Sequence, residues 1–167
     1  MRADSRIKEY VSNSPEETIA LGKQIAFSVL ACLSCDSCVV IALRGTLGSV
    51  KTYLTKGIAE GLGITENLTS PTYTIINEYF FHTTNNEQRK EKREVKFYHI
   101  DVYRLEGDKD FEDIGGIDIL NSKSVCVIEW SERIPNSLPS AAIKISVEIT
   151  GGTSRIIRLT GLDSLCI

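Results

Sequence analysis

The chain lacks most of the features that let composition alone assign a role. Charge of one sign is missing: 19 lysines and arginines stand against 22 aspartates and glutamates, a net −3. An isoelectric point near 5.5 argues against a surface dedicated to DNA or RNA, which draws on a basic excess, though a net sum leaves room for a local patch. A secretory signal is not expected, since residues 1–10 alternate charged and polar groups without an apolar segment. An uninterrupted apolar run is missing too. Residues 25–43 come nearest, but Ser34, Asp36 and Ser37 interrupt them, and a central aspartate costs about 2.5–3.5 kcal/mol on insertion. That stretch turns from helix-like before Leu33 to β-branched after Cys38, so it reads as helix, turn and strand, with no membrane association. A cytoplasmic chain is expected. Repeats and low-complexity tracts are absent, and the 42% hydrophobic content can fill one core. One domain over residues 1–167 is expected, its core at about 14–150.

Scarcity also shapes the metal question. Among five cysteines, Cys32, Cys35 and Cys38 form a C-x-x-C-x-x-C run, a pattern that invites metal or iron–sulfur binding. No second cysteine pair lies nearby, and the run straddles a helix end and a strand start. Reduced, small core thiols are the expected state. Cys166 is not placed for prenylation, and the Asn67-Leu68-Thr69 sequon carries no weight in a cytosolic chain. Arg89, Lys90, Lys92 and Arg93 look basic, but Glu87, Glu91 and Glu94 interleave with them. A solvated loop over 83–94 is expected, not a nucleic-acid contact.

What is present is Gly45-Thr46-Leu47-Gly48-Ser49-Val50-Lys51-Thr52. It fits the phosphate-loop pattern G-x-x-x-x-G-K-[ST] except at Val50, where the second glycine belongs. Val39, Val40, Ile41, Ala42 and Leu43 precede it as a short buried strand. Leu54, Ile58, Ala59 and Leu62 follow at helical spacing, with Gly61 and Gly63 as a stop. Such a loop works because backbone N–H groups and a helix N-terminus converge on anionic oxygens. Lys51 would bridge the terminal phosphates and the Thr52 hydroxyl would help hold Mg²⁺, which also needs one or two carboxylates. Two stand at strand ends: Asp101 after Phe97-Tyr98-His99-Ile100, and Glu129 after Val125-Cys126-Val127-Ile128.

The other elements follow from pattern. Residues 7–11 read as an edge strand. Ser14-Pro15-Glu16-Glu17 reads as a capping box, with Ser14 as cap and Glu17 reaching back, opening a helix that ends near Leu33. Residues 72–81 and 95–105 read as extended. Residues 108–120 read as a helix or two turns broken at Gly115-Gly116. Residues 125–130 form a buried strand, and 142–149 with 155–159 a closing antiparallel hairpin around Gly151-Gly152. The fold class is α/β, of phosphate-loop NTPase type, with a mixed parallel and antiparallel central sheet flanked by helices.

Four blocks occur in order: residues 45–52; Ser70-Pro71-Thr72-Tyr73-Thr74 with Asn77-Glu78-Tyr79; His99-Ile100-Asp101-Val102-Tyr103-Arg104-Leu105; and Ile128-Glu129-Trp130. In these the chain resembles the bacterial TsaE (YjeE) family, from about residue 16 to 149. The resemblance implies a small ATPase with ATP and Mg²⁺ as its cofactors. Its nucleotide-binding positions would be Gly45, Leu47, Gly48, Ser49, Val50, Lys51, Thr52, Tyr53, Thr72 and Trp130. Thr52 and Glu129 would hold the metal, and Asp101 would take the Walker B-like place, so that Asp101 and Glu129 are the catalytic pair. Thr72 and Thr74 would lie in a nucleotide-responsive segment. His99 is expected to be structural, and His82 has no assigned role. The implied partner is a heterodimer of two ASKHA-fold proteins (TsaB and TsaD type). That heterodimer transfers threonylcarbamoyl to the adenosine beside the anticodon of ANN-decoding tRNAs. The small ATPase would reset it.

Three positions depart from the family pattern G-D-L-G-A-G-K-T-T: Thr46, Val50 and Tyr53. If position 50 needs positive φ, an L-residue there costs about 1–2 kcal/mol, and a β-branched one more. Three readings stay open on the sequence: a weakened but working Mg²⁺-ATPase, a non-hydrolysing scaffold that keeps the partner surface, and an unrelated small phosphotransferase.

Overall fold

Strand β5 (Ser124–Glu129) is buried at every position, as a strand covered on both faces must be. In the computed structural model, which describes residues 7–33, 38–45, 50–85 and 91–161, it lies inside a seven-stranded sheet of order β1-β7-β6-β2-β5-β4-β3. β2 (Val39–Gly45) runs parallel to both β5 and β6 (Ile143–Gly151), and β4 (Glu91–Asp101) runs parallel to β5. The edges are antiparallel: β3 (Ile76–Asn85) pairs with β4, and β7 (Ser154–Thr160) joins β6 to β1 (Lys8–Ser12). The sheet is therefore mixed, as the sequence implies.

Alternation divides the core in two. Ile41 and Leu43 of β2, Val125 and Val127 of β5 and Phe97 of β4 face helices α1 (Pro15–Cys32) and α2 (Val50–Leu62), against Ile25, Val29, Leu54 and Ile58. Val40, Ile100, Cys126 and Ile128 face the other way, against Phe111 and Ile134. Phe111 belongs to α3 (Asp108–Asp113), which α4 (Gly116–Leu120) follows. Each fully buried Leu, Ile or Phe is worth about 1.5–3 kcal/mol relative to exposure. Gly115, at φ 82, makes the break between α3 and α4, a left-handed turn that glycine enters without a Cβ penalty.

The start of α1 is capped by Ser14, whose Oγ accepts the Glu17 N–H at 3.1 Å. Glu17 reaches back one residue further than a capping box requires, accepting from the Asn13 N–H at 2.7 Å. α1 and α2 cross closely because small residues meet there. A Cβ on Gly57 would come 2.2 Å from the Ile19 carbonyl oxygen, and one on Gly22 2.5 Å from that of Leu54.

Three expectations change. The segment expected to be extended over 95–105 leaves the sheet after Asp101, the last residue of β4, and residues 102–105 are not strand. The loop expected over 83–94 is largely strand: β3 runs to Asn85 and β4 starts at Glu91, with Thr83 opposite Arg93 and Thr84 opposite Lys92. Ladder hydrogen bonds do not depend on side-chain polarity, so a hydrophilic hairpin arm pairs as well as an apolar one. Of the basic run, Arg89 and Lys90 lie outside the described residues, as does Cys35. The strand expected from Thr72 instead begins at Ile76, because residues 72–74 form a turn. That turn ends on Ile75 at φ 67, where an extended strand cannot continue. Among the described residues no helix is long and apolar enough to cross a membrane.

Candidate functional site

The parallel strands β2, β5 and β4 end together, and α2 begins just beyond β2. Asp101 and Glu129 are paired across β4 and β5 at their last positions. Period-two alternation puts both carboxylates, and His99, on the face that carries α2. Asp101 is 5% exposed and Glu129 4%. Buried acids at strand ends are unusual unless paired.

Lys51, in the first turn of α2, is 2% exposed. Its Nζ donates to the Gly45 carbonyl oxygen at 2.9 Å and lies 4.1 Å from the centre of the Trp130 ring. Burial pushes the ammonium below the ordinary lysine value, while the negative charges of Glu129, Glu132 and Asp101 push it back up. The lysine therefore lies within reach of the field of both strand-end carboxylates. Gly45 cannot be replaced simply: its φ is +142, and a Cβ would lie 2.3 Å from the Val147 carbonyl oxygen.

Val50 is the first residue of α2 and is buried in the helix-side core at 7% exposure. As a residue of an α-helix it has helical dihedrals. Val50 is therefore right-handed, and the dihedral cost considered for it on the sequence does not arise. Thr52 and Tyr53, also in the first turn of α2, are half-buried. Thr46, Leu47, Gly48 and Ser49 lie outside the described residues.

The turn before β3 is tied to Asp101. The Thr72 hydroxyl donates to Oδ2 of Asp101 at 3.2 Å and sits 2.8 Å from the Ser70 hydroxyl. The other Asp101 oxygen accepts the Tyr103 N–H at 2.9 Å, and the Asp101 N–H donates to the carbonyl of strained Ile75 at 2.9 Å. Thr74 is not brought to the site. Its hydroxyl donates to Oδ1 of Asn77 at 2.6 Å.

Trp130 leaves β5 in a left-handed conformation, φ 62 and ψ 33, at a cost of roughly 1–2 kcal/mol for an L-residue. That turn lays the indole over Lys51 and against Tyr103, whose ring centre is 4.9 Å away. Arg133 also stacks on Tyr103, with Cζ 5.2 Å from its ring centre. Tyr103, Glu132 and Arg133 were given no role on the sequence. Tyr103 stood inside a recognised block, whereas only folding reveals Glu132 and Arg133.

The donor set is chemically suited to Mg²⁺. Oxygen is what hard cations prefer, and Mg²⁺ is held by one or two carboxylates plus substrate phosphates, not by an all-protein cage. Among the described residues no cluster of three His, Cys, Asp or Glu side chains could enclose a metal. Cys32, Cys38 and Cys126 lie elsewhere. Burial raises the Cys126 thiol well above its ordinary value and raises Cys38 as well, which keeps both protonated and inert.

Fold and site thus define an α/β protein in which central parallel strands deliver two carboxylates to the start of a lysine-bearing helix. The sequence profile of "Threonylcarbamoyl adenosine biosynthesis protein TsaE" matches residues 12–157. The tRNA threonylcarbamoyladenosine biosynthesis protein TsaE of Bacillus subtilis is 36% identical over 151 residues, 90% of this chain and 84% of the relative. That of Treponema pallidum is 40% identical over 116 residues, 70% of this chain and 77% of the relative. The crystal structure of Bacillus subtilis YdiB superposes with a TM-score of 0.66 at 30% identity, covering 97% of this chain and 90% of that one. The chain belongs to the TsaE family, whose role is in tRNA threonylcarbamoyladenosine biosynthesis.

Proposed function

We propose that this chain binds ATP with Mg²⁺ and hydrolyses it slowly, acting in the cytoplasm on a heterodimeric threonylcarbamoyl transferase of two ASKHA-fold proteins (TsaB and TsaD type). Its own contact with tRNA is indirect, and neither DNA nor membrane is a partner. The observation that carries this reading is the placement of Lys51 at the start of α2, under the charges of Asp101 and Glu129 from adjacent strand ends.

Lys51 holds the terminal phosphates, exchanging its bond to the Gly45 carbonyl for charge-assisted bonds to phosphate oxygens. The backbone N–H groups at the start of α2 face the same anion. Thr52 and Glu129 would hold the metal, which would supply charge neutralisation on the phosphate oxygens. Asp101, its two oxygens fixed by Thr72 and the Tyr103 N–H, would act on the attacking water as a general base or orienting group. Trp130 shields Lys51 from water. Turnover drives the cycle that resets the transferase.

A second reading, a scaffold that binds the same partners with weak or no hydrolysis, is favoured by one observation: a valine side chain stands where glycine lets phosphate approach closely. Calorimetric titration with Mg-ATP decides between them. The ATPase reading expects micromolar binding, lost by a factor of 100 or more in Lys51→Ala. Absence of binding, restored by Val50→Gly, would establish the scaffold instead. No binding by either protein would overturn the site itself.

A further inference from the structure

Inside the carboxylate pair lies a side chain that neither packing nor phosphate binding explains. His99 is fully buried on β4, and its Nε2 lies 2.7 Å from Oε1 of Glu129. Its other nitrogen, Nδ1, is buried with no hydrogen-bond partner. A site chosen for packing alone would hold an aromatic or aliphatic residue, since an unpaired buried polar atom is unfavourable. The contact is diagonal: His99 stands opposite Val127, two residues before Glu129 on β5, a separation that a long side chain spans.

An ionised Glu129 can only accept. The shared hydrogen therefore sits on Nε2, and Nδ1, which has no acceptor to donate to, keeps its lone pair. One Glu129 oxygen is thereby fixed by a donor from inside the sheet, while the carboxylate's charge acts on Lys51 in the first turn of α2. We propose that His99 is the positioning residue of Glu129. Held as the Nε2–H tautomer, it aims the free carboxylate oxygen at the metal that accompanies the nucleotide. This role rests on the Mg-ATP reading above. Groups that orient metal-ligating carboxylates typically govern metal affinity by about 10–100-fold.

The chain has only two histidines, so a ¹⁵N-histidine NMR spectrum contains two rings. His82 is exposed on β3, 3.9 Å from Glu94, and the His99 ring is identified by its loss in His99→Gln. The expected spectrum shows His99 protonated at Nε2 and bare at Nδ1, and changed by Glu129→Gln. The opposite tautomer overturns the proposal, and this reading needs no variant of His99 beyond the assignment. Calorimetry then separates metal from nucleotide. His99→Phe is expected to weaken ATP binding in Mg²⁺ about tenfold, to leave ATP binding in EDTA unchanged, and to be largely rescued by His99→Gln, whose amide donor falls near Nε2. A merely structural histidine would lower both affinities together or neither. If Glu129→Gln weakens binding in Mg²⁺ while His99→Phe does not, His99 is the wrong residue and the site stands. If the unmutated chain has no affinity for Mg-ATP, the functional reading falls, and this role of His99 with it.

Discussion

Lys51 combines a buried ammonium with a task that needs its charge. Burial lowers its proton affinity below the ordinary lysine value of 10.5, against the pull of Glu129, Glu132 and Asp101. Phosphate binding requires the protonated form, so Mg-ATP affinity is expected to fall as pH rises, beginning below the ordinary lysine range. Stability linkage runs the other way. With the folded value below the unfolded one, the unfolded chain binds the proton across the interval between them, so this group's contribution to stability rises with pH there. Calorimetry and thermal unfolding over one alkaline series separate the two trends, and the affinity decline must be absent from the residual binding of Lys51→Ala. Gly45 makes a second prediction. Gly45→Ala meets both a positive φ and the Val147 carbonyl, a backbone atom that cannot swing aside. A loss of about 3 kcal/mol or more is expected, read as a lowered urea midpoint. Unchanged stability would mean that the β2 exit can rearrange.

The α1–α2 crossing is decided between elements, not within either helix. Gly57→Ala raises intrinsic helix propensity by about 1 kcal/mol, yet its Cβ would lie 2.2 Å from the Ile19 carbonyl oxygen. The clash is expected to win, giving a net loss of about 1–3 kcal/mol by denaturant titration. Because α2 carries Lys51 at its start, Mg-ATP affinity should fall along with stability. The link between α3 and the turn after Arg133 rests on Asp108, which accepts from the backbone N–H and side chain of both Asn136 and Ser137 at 2.7–3.1 Å. Burial raises this carboxyl, but the hydrogen bonds from Ser137 and Asn136 outweigh it and the net shift is downward. The stabilisation is thus present above the unfolded carboxylate value and lost as pH falls through the depressed folded one. Asp108→Ala is expected to lose about 1–3 kcal/mol at neutral pH and to flatten the acid limb of the stability profile. An unchanged limb would mean that other carboxylates set it.

For the whole molecule, membership of the TsaE family ties the site to tRNA modification. In cells depleted of their own family member, expression of this chain is expected to restore threonylcarbamoyladenosine in hydrolysed tRNA, measured by mass spectrometry. Lys51→Ala should not restore it, whereas Val50→Gly should do so at least as well. Restoration by Lys51→Ala would make the scaffold the better account. The central strands, both long helices and the α3–α4 break were legible because alternation, helical spacing, a Ser-Pro cap and paired glycines are local signals. The β3–β4 arm was misread because its polar residues pair through the backbone, which composition does not report. Val50 drew suspicion because spacing cannot give a dihedral; the helix that begins on it supplies one. By itself, then, the sequence determined the α/β class, the phosphate-loop pattern and the two strand-end acids, each written in a local run of a few residues. Tertiary structure alone decided that His99 grips Glu129, that Trp130 covers Lys51 and that Thr72 reaches Asp101. Each of these contacts joins residues 29 or more positions apart, and sheet order, not chain order, brings them together.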